Sequence, residues 1–201
     1  MLETTLLAPA TPQAATPQVD AFVLLHGITW GGYCVLGDLV GRDARLCYLQ
    51  GTLEIMSPSQ RHEQLKKRIA RLLETFAVER NVALYGYGST TFRHEAKERG
   101  LEPDECYCVD RELGDMPDIA IEVALSSGGL DKLEIYAGLG VPEVWFWRHD
   151  AFELFVLEGG QYSQATASRL VPGLEFERLA EFVRMPRQHE AVMAFRATLR
   201  G

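Results

Sequence analysis

The sequence predicts an α/β or α+β fold in which a mixed β-sheet is flanked by helices. Three observations predict it. A helical apolar period runs for about twenty residues after SPSQ (57–60). Short apolar runs such as PDIAIEVAL (117–125) and VPEVWFW (141–147) have strand length and strand composition. These runs are interleaved with helical segments, in the order helix, strands, helix, strands, helix. With 201 residues, 47% of them hydrophobic and 24% charged, the chain suits one packed domain better than two.

The N-terminal segment MLETTLLAPATPQAATPQ lacks the positive start of a signal peptide and is rich in Pro, Ala and Thr, so residues 1–20 read as a flexible tail and 21–201 as one domain. TWGGYCVLGDL (29–39) reads as a short helix capped by Thr29. ARLCYLQGTLEIM alternates around Gln-Gly and predicts a hairpin, with strands near 44–49 and 52–56. SPSQ predicts a helix start, with Ser57 as N-cap, Pro58 in the first turn and Gln60 closing a capping box. The helix should run over about 58–79, with Leu65, Ile69, Leu72, Leu73 and Phe76 on its buried face. Lys66, Lys67, Arg68 and Arg71 fall on the other, which reads as a solvated face.

NVALYGYGSTTFRH predicts one or two short strands, and HEAKERGLE a charged, mobile connection. EPDECYCV (102–109) is a strand, DRELGDM a loop, and PDIAIEVAL the next strand. SSGG breaks it, and LDKLEIYAGLG is a helix ending at Gly138 or Gly140. VPEVWFW and FELFVLE are strands joined by an RHD turn, and GG turns the chain again. Residues 178–199 read as helical with an interruption at Pro186.

A net charge of −8 counts against a strong non-specific nucleic-acid binder, whose affinity would come from clustered Lys and Arg. It leaves room for an enzyme that meets a nucleic acid locally through a metal. Cys34, Cys47, Cys106 and Cys108 form no CxxC and no zinc spacing, and read as small core residues in a reducing cytoplasm. No apolar run reaches the roughly 18 residues of a membrane span.

The chemistry lies in carboxylates carried on buried strands. Asp118 and Glu122 share a strand face about 13 Å apart, too far to bind one ion together. Asp118 suits a turn acceptor. Asp104, also directly after a proline, can meet Glu122 if the two strands are neighbours. Two such acids would repel, and a divalent cation relieves the repulsion. Mg²⁺ takes one or two carboxylates, waters and a substrate phosphate. Lys132, at the start of the helix after SSGG, can orient a water or offset charge on a phosphate. Ser126, Ser127, Gly128 and Gly129 form either a phosphate cradle or the loop that lets Lys132 return. Trp145, Phe146 and Trp147 read as core and interface, not a base-stacking platform.

LEIMSPSQRHE (53–63), EPDECYCV, PDIAIEVALSSGG and DKLEIYAGLGVPEVWFW together resemble the PD-(D/E)XK nuclease superfamily. More closely, residues 25–165 resemble the Uma-two (Uma2) family of restriction-endonuclease-like proteins. The resemblance implies a restriction-endonuclease-like core and a metal-dependent nuclease, acting on DNA with Mg²⁺ or Mn²⁺ held by Asp104 and Glu122. It implies Lys132 and His62 as further catalytic residues, Glu63 as a candidate first-helix glutamate, and a homodimer with VPEVWFWR and FELFVL as interface. The superfamily pattern places a lysine two residues after the acid, where this chain has Ala124. The alternative is a non-catalytic binding or regulatory module that keeps the fold.

Overall fold

The computed structural model describes residues 19–40, 44–125 and 129–201. Ala21–His26 form β1, where the sequence reading places no element. Trp30–Val40 form α1, and the Thr29 hydroxyl accepts from the Gly32 amide as expected of its cap. β2 (Arg45–Leu49) and β3 (Thr52–Ser57) make the predicted hairpin. Gln50 and Gly51 both have positive φ, 43° and 88°, as a two-residue turn of primed type needs.

α2 spans Gln60–Arg80. Its cap is Ser59, whose Oγ accepts from the His62 amide at 3.2 Å, and not Ser57. The reason is pairing: Ser57 is still in β3, opposite Ala21, so the chain cannot turn into a helix until two residues later. Nor does Gln60 complete the box. The Ser59 amide donates instead to Asp20 Oδ1 at 2.7 Å.

β4 (Leu84–Gly86) and β5 (Phe92–His94) are the two short strands. The charged connection expected after them contains a 3₁₀ turn at Glu95–Lys97 and β6 (Arg99–Leu101), which pairs with both β5 and β2. β7 (Glu105–Val109), β8 (Ile119–Val123), α3 (Lys132–Leu139), β9 (Glu143–Arg148) and β10 (Ala151–Glu158) follow as predicted. Gly140, with φ 82°, ends α3 in the left-handed conformation that glycine adopts without strain. β11 (Gln161–Ala165) lies where the sequence predicts no strand: its polar sequence suits a sheet edge, and among the described strands β10 is its partner. α4 (Phe176–Val183) and α5 (Gln188–Arg200) flank Pro186.

The described strands form two sheets instead of one. One is antiparallel, in the order β1-β3-β2-β6-β5; the other is mixed, in the order β11-β10-β9-β8-β7-β4, with β8 and β9 parallel. One face of the mixed sheet, including Ile119, Ile121, Trp145 and Trp147, packs under α2, α4 and α5. Its other face, including Ala120, Val144 and Phe146, meets α3 and, through Cys47, Phe92 and Leu101, the antiparallel sheet. Tyr33 of α1 and Tyr48 stack on the far side of that second sheet, centroids 4.9 Å apart. The architecture is α+β and agrees with a restriction-endonuclease-like core.

Two expectations need correction. β9 lies inside the mixed sheet, and Trp145, Phe146 and Trp147 are core, so VPEVWFWR cannot be an interface between subunits. The basic face of α2 is solvated only in part: Lys67, paired with Glu105, and Arg71 are exposed, but Lys66 is buried against Glu63 and Arg68 donates to the carbonyls of Val183, Met185 and Pro186. The four cysteines are free thiols. No helix among the described residues is long and apolar enough to cross a membrane.

Candidate active site

Pro103 keeps the chain extended ahead of β7. The β7–β8 register pairs Glu105 with Ile121, and one step further it sets Asp104 beside Glu122. The two acids thus converge as the sequence predicts. Asp104 Oδ2 accepts from the Val123 amide at 2.8 Å, which fixes its carboxylate over the end of β8. Lys132 opens α3, whose N-cap Asp131 accepts from the Leu133 and Glu134 amides. That start aims Lys132 Nζ back at the sheet, 2.6 Å from Glu122 Oε2. Tyr136 lies one helical turn further on the same face, and its hydroxyl donates to Glu122 Oε1 at 2.5 Å. Both acids are about 1% exposed.

His62, the third residue of α2, is fully buried between two carboxylates. Its Nδ1 donates to Asp20 Oδ2 at 2.9 Å, and its Nε2 forms an ion pair with Asp104 Oδ1 at 2.9 Å. With an acceptor on each nitrogen the ring is an imidazolium. Burial alone would lower its pKa, but Asp104 and Asp20 outweigh burial and hold it up at about 9.

The acids separate in their proton affinity. Burial pushes Glu122 up, Asp104 adds to the rise, and Lys132 and Tyr136 offset part of it. Burial acts on Asp104 in the same direction, but His62, Lys132 and the Val123 amide more than reverse it, and Asp104 ends below the usual range. Lys132, despite burial, is held well above the ordinary lysine value by Glu122 and Asp104 and is charged.

Glu122 and Lys132 open onto a cavity of about 710 Å³, also lined by Asp20, Phe22, Glu54, Met56 and Arg148. Glu54, on β3, is buried and accepts from the Leu130 amide at 2.9 Å. Among the described residues no three of His, Cys, Asp and Glu stand ready as a metal-ligand set. The donor chemistry nevertheless suits a hard divalent cation, because the acids offer only oxygen and Mg²⁺ asks for one or two carboxylates. Glu122 stays raised even with a lysine in contact, chiefly because it is buried and secondarily because Asp104 is beside it.

The structure therefore brings Asp104, Glu122, Lys132 and His62 together. It leaves out Asp118, which accepts from the Val109 amide and pairs with Arg111 at 2.6 Å. Glu63 also points elsewhere, to Lys66 and Arg45. Ser126, Ser127 and Gly128 lie outside the described residues.

Three members of the cluster escaped the sequence reading. Asp20 stands before AFVLL, an apolar run of strand length, but at the end of the Pro/Ala/Thr-rich segment. Glu54 interrupts the alternating strand TLEIMS, the same anomaly that singled out Glu122. Tyr136 is four residues after Lys132, hence on one face with it.

A search of curated proteins gives no match to the chain. A family model does match, over residues 33–186, a stretch that includes Asp104, Glu122, Lys132 and His62 and begins after Asp20. That stretch is more than half of the sequence, and the chain belongs to the Uma2 family, described as "Putative restriction endonuclease".

Proposed function

We propose that the protein is a metal-dependent nuclease that hydrolyses phosphodiester bonds in DNA, with Mg²⁺ or Mn²⁺ held by Asp104 and Glu122. The observation that carries this reading is the convergence of those two acids with Lys132, where Glu122 and Lys132 line one cavity and Asp104 is buried directly behind them. A bound divalent cation would acidify a water and polarise a phosphoryl oxygen. The chain's own residues supply the rest. His62, positively charged, keeps Asp104 ionised. Tyr136 holds Glu122 by one oxygen and leaves the other to Lys132. Lys132 is a fixed cation beside the acids, placed to orient the attacking water and to offset charge developing on the phosphate. The same reading includes a homodimer.

The test joins metal binding to cleavage. Calorimetric titration with Mn²⁺ should show a site in the wild type that Glu122→Ala lacks. The same substitution should lower DNA cleavage by about 100-fold or more. A wild type that cuts neither DNA nor RNA with either ion would overturn the proposal. One observation favours the alternative, a non-catalytic module: all four oxygens of Asp104 and Glu122 already have protein partners.

A further inference from the structure

The cavity presents carboxylates from several directions: Asp20, Glu54, Glu122 and Asp131 all line it. A nucleic-acid strand brings more negative charge into such a space, and a fixed cation must meet it. Lys132, 2.6 Å from Glu122, is placed for the reacting phosphate alone. Lys66, Lys67 and Arg68 are committed along α2. Arg148 is placed differently.

The parallel β8–β9 register pairs Glu122 with Phe146 and Val123 with Trp147, and the Ala124 amide donates to the Trp147 carbonyl at 2.9 Å. One step further sets Arg148 beside Ala124. Strand alternation puts Phe146 and Arg148 on the same face as Glu122. Ala124 is too short to fill that position, which leaves room for the arginine. Arg148 Cζ lies 4.0 Å from the Phe146 ring centroid, and its Nε is 3.5 Å from Glu153 Oε2. The guanidinium is thus stacked by its flat face, with its Nε edge turned toward Glu153 in an ion pair that is not a hydrogen bond. Its two terminal nitrogens make no hydrogen bond with the described residues, and the residue lines the cavity. A planar cation fixed at one edge and open at the other is the arrangement that receives a phosphate through two parallel hydrogen bonds. Stacking on Phe146 fixes its orientation before the ligand arrives.

The geometry points to Arg148 as a substrate-binding residue that takes a backbone phosphate of the nucleic-acid strand, next to the phosphate that Lys132 serves. This inference rests on the nuclease reading above. Arg148 contacts sugar-phosphate and not base edges, so its effect is the same for every sequence.

Fluorescence anisotropy with a labelled DNA duplex, in Ca²⁺ and across 50–200 mM salt, tests it. Arg148→Gln should weaken binding about 10-fold and make the slope of log affinity against log salt shallower by about one. Cleavage in Mg²⁺ should fall through KM with kcat nearly kept. Arg148→Lys retains the charge and should retain the slope. Arg148→Met keeps the stem over Phe146 and should lose the slope as Gln does, so a poorly folded Gln variant does not remove the test. Unchanged affinity and slope in a folded Gln or Met variant would overturn the inference. So would a lower melting temperature with unchanged binding, since Arg148 would then only brace Phe146. If the wild type cuts DNA and the variants cut with wild-type KM, the inference alone falls. If the wild type neither binds nor cuts, the nuclease reading falls and takes it along.

Discussion

His62 joins three separate parts of the chain: the start of β1 through Asp20, the first turn of α2, and the turn into β7 through Asp104. Its charge has a direct consequence for stability. The folded pKa, about 9, lies above the ordinary histidine value of 6.5. The stabilisation is therefore complete below pH 6.5 and is lost as pH rises through 9. Urea denaturation midpoints of the metal-free protein should fall between pH 7 and pH 10, and His62→Gln should flatten that fall. Asp20→Ala leaves a buried imidazolium short of one partner and should cost about 3–5 kcal/mol. A midpoint independent of pH in the wild type would show that the ring is neutral. At this scale the sequence was informative where a polar residue broke an apolar pattern. Glu122 stood out because Ile121 and Val123 flank it, whereas Asp20 sat at the end of a polar tail and broke nothing.

Among the elements, β6 shows how a strand can exist without a strand's composition. Its three residues, Arg99–Leu101, bridge β5 and β2 and so hold the antiparallel sheet together. Gly100 at its centre is buried against α1, and a methyl group there would lie 2.8 Å from Cε1 and Cζ of the Tyr33 ring. The ring is stacked on Tyr48 and cannot swing away. Gly100→Ala should therefore destabilise the protein by about 1–3 kcal/mol, measured by urea denaturation. A neutral result would mean that α1 shifts to make room. Elements with strong periodicity, α2 above all, were legible in the sequence. β1, β6 and β11 were not, because partners in the sheet and not their own residues specify them. The two-residue displacement of the α2 cap has the same origin: pairing with β1 holds Ser57 in the strand.

For the molecule as a whole, the apolar surface left uncovered concentrates at the beginning of the described chain. β1 is the edge of the antiparallel sheet, and Phe22, Val23 and Leu24 on it are exposed at 40%, 57% and 38%. An open apolar edge pairs readily with a copy of itself around a two-fold axis. The proposed homodimer would therefore use β1, and Val23→Lys should convert it to monomer in sedimentation velocity; a monomeric wild type at tens of micromolar would remove the dimer from the reading. The sequence by itself determined the helices with clear periods, the main strands, and the residues Asp104, Glu122 and Lys132 as chemically out of place, whereas His62 entered only through the family resemblance. These depend on local pattern, which side-chain chemistry and spacing express directly. Only the tertiary structure decided that the strands divide into two sheets, that Asp20, Glu54 and Tyr136 join the cluster, and that Asp118 and Glu63 do not. Strand pairing over long separations fixes those outcomes, and register is a property of two segments together that neither segment carries alone.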